Sequence, residues 1–273
     1  MLDFLVVLFI VFAILFVLYA LALKGRTSNP NVKKFEGARF AHRGLFGAES
    51  APENSLLAFS AAVERGYGIE LDVHLTKDEH LVVIHDSSLM RTVGVEGTVE
   101  QMTLDEIRAY TLLGSDTAVP TLDEVLKLVD GKVPLLIELK CEKNAQKLCT
   151  FAVKKLSEYT GDYCFESFDP RAVMALKKIA PNAVRGQLTQ NFIRNRSGLS
   201  MALCIILSVQ LLNFISKPDF CAVRFEDRKM LPIKIATRLW GMTGFVWTIK
   251  SQNDLEIAKN EGFTSIFEGF EAK

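Results

Sequence analysis

The chain has 273 residues, 49% of them hydrophobic, which is enough to bury a sizeable core as one large domain or two modest ones. Its 32 basic and 32 acidic side chains cancel, so composition gives no electrostatic case for a nucleic-acid partner. The five cysteines, Cys141, Cys149, Cys164, Cys204 and Cys221, are widely spaced and form no metal-ligand cluster; they read as free, mostly buried thiols of a reducing compartment.

Residues 4–23 are almost entirely apolar, and about 20 such residues span a bilayer core. A transmembrane anchor over 1–24 is therefore predicted. A signal peptide is the rival reading, but the apolar core is long, no basic region precedes it, and Ala20-Leu21-Ala22 is a weak cleavage site. Only Asp3 and the terminal amine stand ahead of the helix, whereas Lys24, Arg26, Lys33 and Lys34 follow it, which places the remainder of the chain in the cytoplasm by the positive-inside rule. An extracytoplasmic location stays open because the N-terminal tail is short. Residues 25–37, polar with Asn29-Pro30-Asn31 in the middle, read as a linker.

From residue 38 onward, strands alternate with helical patterns. Strands are expected at 39–41, 68–73, 133–139, 163–167, 184–188, 220–225, 245–249 and 264–267, with 81–85 as an additional hairpin strand. Helices are expected at 54–65, 145–159, 170–179 and 255–260. Thr103 with Glu106, and Thr121 with Glu124, have capping-box spacing. Eight strands alternating with helices fit an α/β (β/α)8 TIM barrel over 38–273.

The chemistry concentrates in residues 39–86, which hold all four histidines. In Ile69-Glu70-Leu71-Asp72-Val73 the period of two puts both carboxylates on one face of a strand. Paired acids on a half-buried face repel one another and lose hydration, and a divalent cation compensates both; oxygen ligands favour Ca²⁺ or Mg²⁺ over zinc. The alternative is a solvated strand face. Leu135–Lys140 repeats the design, ending in Glu138 and Lys140. If Asp78-Glu79 is a two-residue hairpin loop, His85 stands opposite Asp72 and faces the same way; a slip of one residue turns it aside. His80 reads as a turn residue and His74 as structural.

His42-Arg43-Gly44, Pro52-Glu53-Asn54, Glu70-Leu71-Asp72-Val73, His85-Asp86, Glu138-Leu139-Lys140, Ser167-Phe168-Asp169 and Trp247-Thr248 occur in an order that resembles the glycerophosphodiester phosphodiesterase family, a metal-dependent branch of the phospholipase-C-like barrels. The resemblance runs from about residue 38 to 269. It implies that Glu70, Asp72 and Glu138 bind the divalent metal, and that His42 and His85 are the general acid–base pair. It further implies that a glycerol hydroxyl attacks the phosphorus to give a cyclic phosphate, which water then opens. Arg43 suits bidentate contact with phosphate oxygens and Lys140 adds a point charge beside the metal. Glu53 and Asn54 either line the site or begin the following helix, where Asn54 would be the N-cap. Trp247 packs on the glycerol or belongs to the core.

At 264–270 relatives carry a Thr-Asp pair where this chain has Phe267-Glu268. That departure bears on substrate fit and the last loop rather than on the chemistry. Residues 199–215 form a second, strongly apolar stretch of 17 residues, short for a span, which is expected to pack against the membrane or a second subunit near the barrel mouth. Three functions fit: hydrolysis of small glycerophosphodiesters to glycerol 3-phosphate and an alcohol; lysophospholipase-D hydrolysis of lysophospholipids at the membrane; and, from another class, a non-catalytic membrane-tethered binding module.

Overall fold

The computed structural model describes residues 2–47, 51–196 and 198–273. Helix α1 spans Leu2–Ala22 and strand β1 Arg39–Ala41; α2 (Leu56–Glu64) leads to β2 (Gly68–Leu75), which turns back as β3 (Leu81–Val83). Helices α3 (Leu104–Arg108) and α4 (Leu122–Val129) precede β4 (Leu135–Leu139), and α5 (Ala145–Leu156) connects to β5 (Tyr163–Ser167). Then follow α6 (Pro170–Ile179), β6 (Arg185–Thr189), α7 (Met201–Ser208), α8 (Asn213–Ser216), β7 (Phe220–Arg224), α9 (Leu231–Lys234), β8 (Thr243–Ile249), α10 (Gln252–Asn260) and β9 (Thr264–Phe267).

Eight parallel strands pair in sequence, and β1 bonds both β2 and β9, so the sheet closes on itself with β3 as an antiparallel appendage to β2. This is the TIM barrel expected of the alternating pattern, with boundaries within two or three residues of the sequence reading. Both predicted capping boxes form, on α3 and α4. The lower barrel interior is filled by inward side chains, among them Phe40, Leu136, Cys164, Phe220 and Phe245. Gly186 makes room there: a Cβ would meet the Phe220 ring at 2.1 Å. A second layer, including Ile69, Leu71, Val73 and Ile137, seals the strands against the helices.

The stretch 25–37 is packed rather than a free linker. Pro30–Phe35 forms a short 3-10 helix, and Val32 and Phe35 join the barrel's interior cluster, closing its lower end. Burial of a residue such as Phe35 contributes about 1.5–3 kcal/mol. Arg26 donates from Nη2 to the Asp219 carboxylate at 2.6 Å and to the carbonyl of Ala183 at 2.8 Å. One cation counted in the orientation argument is thus engaged by the barrel itself.

The hairpin also differs from expectation. Val73 pairs with Val83 and Leu75 with Leu81, so the loop has three residues, 77–79, with Glu79 left-handed at φ 70°. Ile84, not His85, lies across from Asp72 and donates its N–H to the Asp72 carbonyl at 3.0 Å. The apolar 199–215 stretch breaks at left-handed Gln210 into α7 and α8. None of its residues lines the cavity at the C-terminal strand ends; instead Tyr19 of α1 donates its hydroxyl to the Val209 carbonyl at 3.1 Å. The stretch packs on the barrel flank beside α1 at Val209, while Ser208 accepts the N–H of Phe192, whose ring meets Phe168 of the mouth wall. Among the described residues all five cysteines are free thiols.

Candidate active site

A cavity of about 390 Å³ opens at the C-terminal strand ends, where barrel enzymes carry their chemistry. Pairing registers explain its floor. Asp72 stands beside Glu138, and Glu138 beside Glu166, so three adjacent strands present one row of carboxylates to the interior. Glu70 lies one pleat lower on β2. Ligand oxygens of Glu70, Asp72 and Glu138 all fall within 4.8 Å of one another, and all three residues are buried.

Two cations interlock with them. Lys140 Nζ lies 3.0 Å from Asp72 Oδ1 and 2.8 Å from Glu138 Oε1. Arg43 donates its backbone N–H to Glu70 Oε2 at 2.9 Å and its guanidinium to Glu53 at 3.0 Å. Its left-handed backbone, φ 57°, turns the chain out of β1, and Gly44 continues the turn where a Cβ would meet Ala58 at 2.9 Å. Glu53 is also bound by Arg91 at 2.7 Å. Asn54 is not the helix cap: Ser55 accepts from the Ala58 N–H in that role. Asn54, 2% exposed, instead donates its amide to Asp72 Oδ2 at 2.8 Å.

Burial and mutual repulsion push Glu70 well above the usual carboxylate range, and burial takes Glu138 to about 7. Burial also opposes ionisation of Asp72, but Lys140, His85 and Arg43 outweigh it and hold that carboxyl well below its ordinary value. Glu166, which the sequence reading passed over, is 1% exposed, and its Oε2 has no hydrogen-bond partner. Burial and the charges of Glu70 and Glu138 push it well above its ordinary value. Four carboxyls against Lys140 and Arg43 leave an excess of two negative charges when ionised. An all-oxygen donor set with that excess fits a hard divalent cation.

Both histidines line the cavity beside this cluster. His42 follows β1 and Nδ1 lies 2.6 Å from Glu268 Oε2, with Nε2 3.9 Å from Glu70 Oε2. The Glu268 bond holds that carboxyl down at about 2, with help from Lys250 at 2.9 Å. Position 268, which the sequence reading ties to substrate fit and the last loop, thus also contacts His42 directly. His85 arrives despite the shifted register because β3 ends at Val83 and the chain leaves the ladder. His74 Nε2 bonds the His85 carbonyl at 3.1 Å, while His74 Nδ1 bonds Glu100 at 2.7 Å. His85 Nδ1 lies 2.6 Å from Asp86, itself bound by Arg91. Burial lowers His85 to about 4, so the ring is neutral at pH 7. His80 is exposed at the turn, 3.8 Å from Asp78.

The opposite wall is apolar, made by Phe46, Phe168, Leu188, Ile266 and Trp247. Trp247 meets Phe168 edge to face at 5.5 Å and donates Nε1–H to the Ala222 carbonyl at 3.3 Å. It belongs to the pocket wall and to a packed aromatic pair at once. Every residue singled out in the sequence at positions 42, 43, 53, 70, 85, 138 and 247 lines the cavity, with 54, 72 and 140 tied directly beneath it. Period-two reading of Tyr163–Ser167 could have found Glu166; no local signal ties Glu268 to His42.

A closed parallel barrel with this charged mouth has the architecture of an enzyme. Residues 42–268 match the Glycerophosphoryl diester phosphodiesterase family, and the chain belongs to it. It is 40% identical over 163 residues to a glycerophosphodiester phosphodiesterase of Caldanaerobacter subterraneus subsp. tengcongensis, an alignment spanning 55% of this chain and 65% of that one. It is 34% identical over 144 residues to a lysophospholipase D of Mus musculus, spanning 48% and 43%. The fold superposes on an Oleispira antarctica phosphodiesterase solved with the product sn-glycerol-3-phosphate, with a TM-score of 0.69 at 22% identity, covering 86% of this chain and 94% of that one.

Proposed function

We propose that the protein hydrolyses glycerophosphodiesters to glycerol 3-phosphate and an alcohol in a divalent-metal-dependent reaction. The observation that carries this reading is the row of buried carboxylates flanked by two histidines, each with Nδ1 fixed by an acid. Glu70, Asp72 and Glu138 would hold the cation, Ca²⁺ or Mg²⁺, which when bound supplies charge to the phosphoryl oxygens. Arg43 and Lys140 stand beside it and add to the field that stabilises the extra charge of five-coordinate phosphorus.

The histidines move the protons. Neutral His85 suits removal of a proton from the attacking oxygen, and His42, its Nδ1 held by Glu268, uses Nε2 to protonate the leaving alcohol. The apolar wall receives the non-reacting part of the substrate. That apolar wall, in a chain that also carries the exposed apolar helix α1, favours a second reading: the same chemistry on a lysophospholipid.

We further propose that α1 anchors the protein in a membrane with the barrel on the cytoplasmic side. Helix α1 has 21 residues, and nearly all its large apolar side chains are exposed. Trp240 donates Nε1–H to the Ala20 carbonyl at 2.7 Å and Lys24 lies over its ring at 4.9 Å, a pairing suited to the interface where the helix leaves the bilayer. Cleavage of the barrel by protease in inverted vesicles but not in right-side-out ones is expected; the reverse pattern overturns the orientation.

The activity test uses the full chain in detergent, stripped by chelator and re-supplied with Ca²⁺, Mg²⁺ or Mn²⁺. Glycerol 3-phosphate release from glycerophosphocholine is compared with choline release from lysophosphatidylcholine. Metal-restored turnover of the soluble diester supports the first reading, and turnover of the lysolipid alone transfers the chemistry to the second. A folded, metal-bound protein that turns over neither overturns both and leaves a binding module.

A further inference from the structure

A larger cavity, of about 730 Å³, lies away from the mouth, where the helical segment 231–240 and the end of α10 meet the N-terminal ends of β8 and β9. Five cations line it: Arg228, Lys229, Lys234, Arg238 and Lys259. Only two carboxylates do, Glu36 and Glu261. Glu261 is taken by Arg228 at 2.8 Å and approached by Lys229 at 3.9 Å, and Glu36 accepts from the Thr243 hydroxyl at 3.0 Å. Lys234, Arg238 and Lys259 have no carboxylate partner among the described residues. In a chain with balanced charge overall, this is a local concentration of unpaired positive charge around a concavity, not a reflection of composition.

Its position gives it a purpose. The segment that supplies Lys234 and Arg238 also supplies Ile235 and Trp240, which pack with Ala20 and Leu23 at the end of α1. Gly241 and Met242, next in the chain after Trp240, line the cavity as well. The cavity and the exit of α1 therefore share one helix, whose diameter is only about 10 Å. With α1 in a bilayer and Trp240 and Lys24 at its boundary, Lys234 and Arg238, on the same short segment as Trp240, stand close to the headgroup layer. Cations near an anionic leaflet each favour binding, and Lys and Arg together match a phosphate group.

We propose that this cavity binds the phosphate of an anionic phospholipid headgroup at the membrane surface from which α1 emerges. The proposal rests on the reading of α1 as a membrane anchor and adds a lipid-class preference to it. The site is separate from the catalytic mouth: no residue lines both cavities.

The test uses the full chain in neutral detergent, titrated with short-chain phosphatidylglycerol, short-chain phosphatidylcholine or inorganic phosphate, with bound lipid counted by native mass spectrometry. The wild type is expected to bind the anionic lipid at least about tenfold more tightly than the zwitterionic one. The triple variant Lys234→Ala/Arg238→Ala/Lys259→Ala is expected to lose that preference while turning over soluble diester at the wild-type rate. Should the triple variant misfold, the single Arg238→Gln, at an exposed position, is expected to lose part of the preference. Equal binding of the two lipids by the wild type, or a preference that survives in the variants, overturns the proposal. Displacement of the lipid by an equal concentration of inorganic phosphate also overturns it, assigning the cavity to a free anion. A failure of the anchor reading shows separately, as release of the protein from membranes at alkaline pH, and a failure of the catalytic reading shows as lost diester turnover in every form.

Discussion

The mouth and the flank cavity both gather positive side chains around a concavity, but they hold charge in opposite ways. At the mouth, Lys140 and Arg43 are locked to buried carboxylates within about hydrogen-bonding reach, and the histidines are pinned through Nδ1. On the flank, Lys234, Arg238 and Lys259 have no carboxylate partner among the described residues. The flank cavity is the larger, yet it is the mouth that holds the buried carboxylates and both histidines to which the proposed chemistry is assigned. Size does not mark a catalytic site; buried, mutually constrained ionisable groups do, because field strength and fixed orientation both require exclusion of water.

That contrast is broken most sharply by metal removal. Chelation is expected to abolish diester turnover and to leave the flank's lipid preference intact, with Ca²⁺ or Mg²⁺ restoring turnover; turnover that persists through chelation would show that the carboxylates work without a cation. Next in size, His42→Ala is expected to reduce kcat by about 10²–10⁴-fold with metal affinity, measured by calorimetry, nearly unchanged. Glu268→Gln is expected to cost less, about 10–100-fold, by analogy with residues that orient a functional imidazole. An unaltered rate would reduce Glu268 to a structural partner of Lys250.

The same variant makes a pH prediction. The folded-state value of Glu268, about 2, lies below its ordinary 4.5, so its contribution to stability is present above about pH 4.5 and is lost as pH falls toward 2. The Tm difference between wild type and Glu268→Gln is therefore expected to narrow from pH 6 to pH 3; a constant difference would refute the pairing. The smallest effect is structural. Ser55→Ala removes the cap of α2, with an expected loss of about 1 kcal/mol in denaturant unfolding and little change in kcat.

Much of this site was readable in advance because its signals are local. A period of two set Glu70 beside Asp72 and put Glu138 at the end of an apolar run, and strand–helix alternation set the barrel. Glu166 sits in the same kind of pattern and needed only the same rule. Of the two hairpin registers open in the sequence, the slipped one forms because left-handed Glu79 accommodates a three-residue turn that composition does not announce. Asn54 looked like a cap because its type favours that role; burial against Asp72 redirected its amide.

The amino-acid order by itself determined the elements, the apolar helix at the start and the residues able to do acid–base and metal chemistry. Tertiary structure decided which of them meet. Barrel closure sets β9 against β1 and so brings Glu268 to His42 across 226 positions, just as it brings Asp219 to Arg26 across 193. It turned an apparent linker into the plug of the barrel and placed an unpaired basic cavity beside the exit of α1. The reason is physical: propensity and periodicity act over a few residues, whereas these contacts are fixed by strand pairing and core packing between segments far apart in the chain.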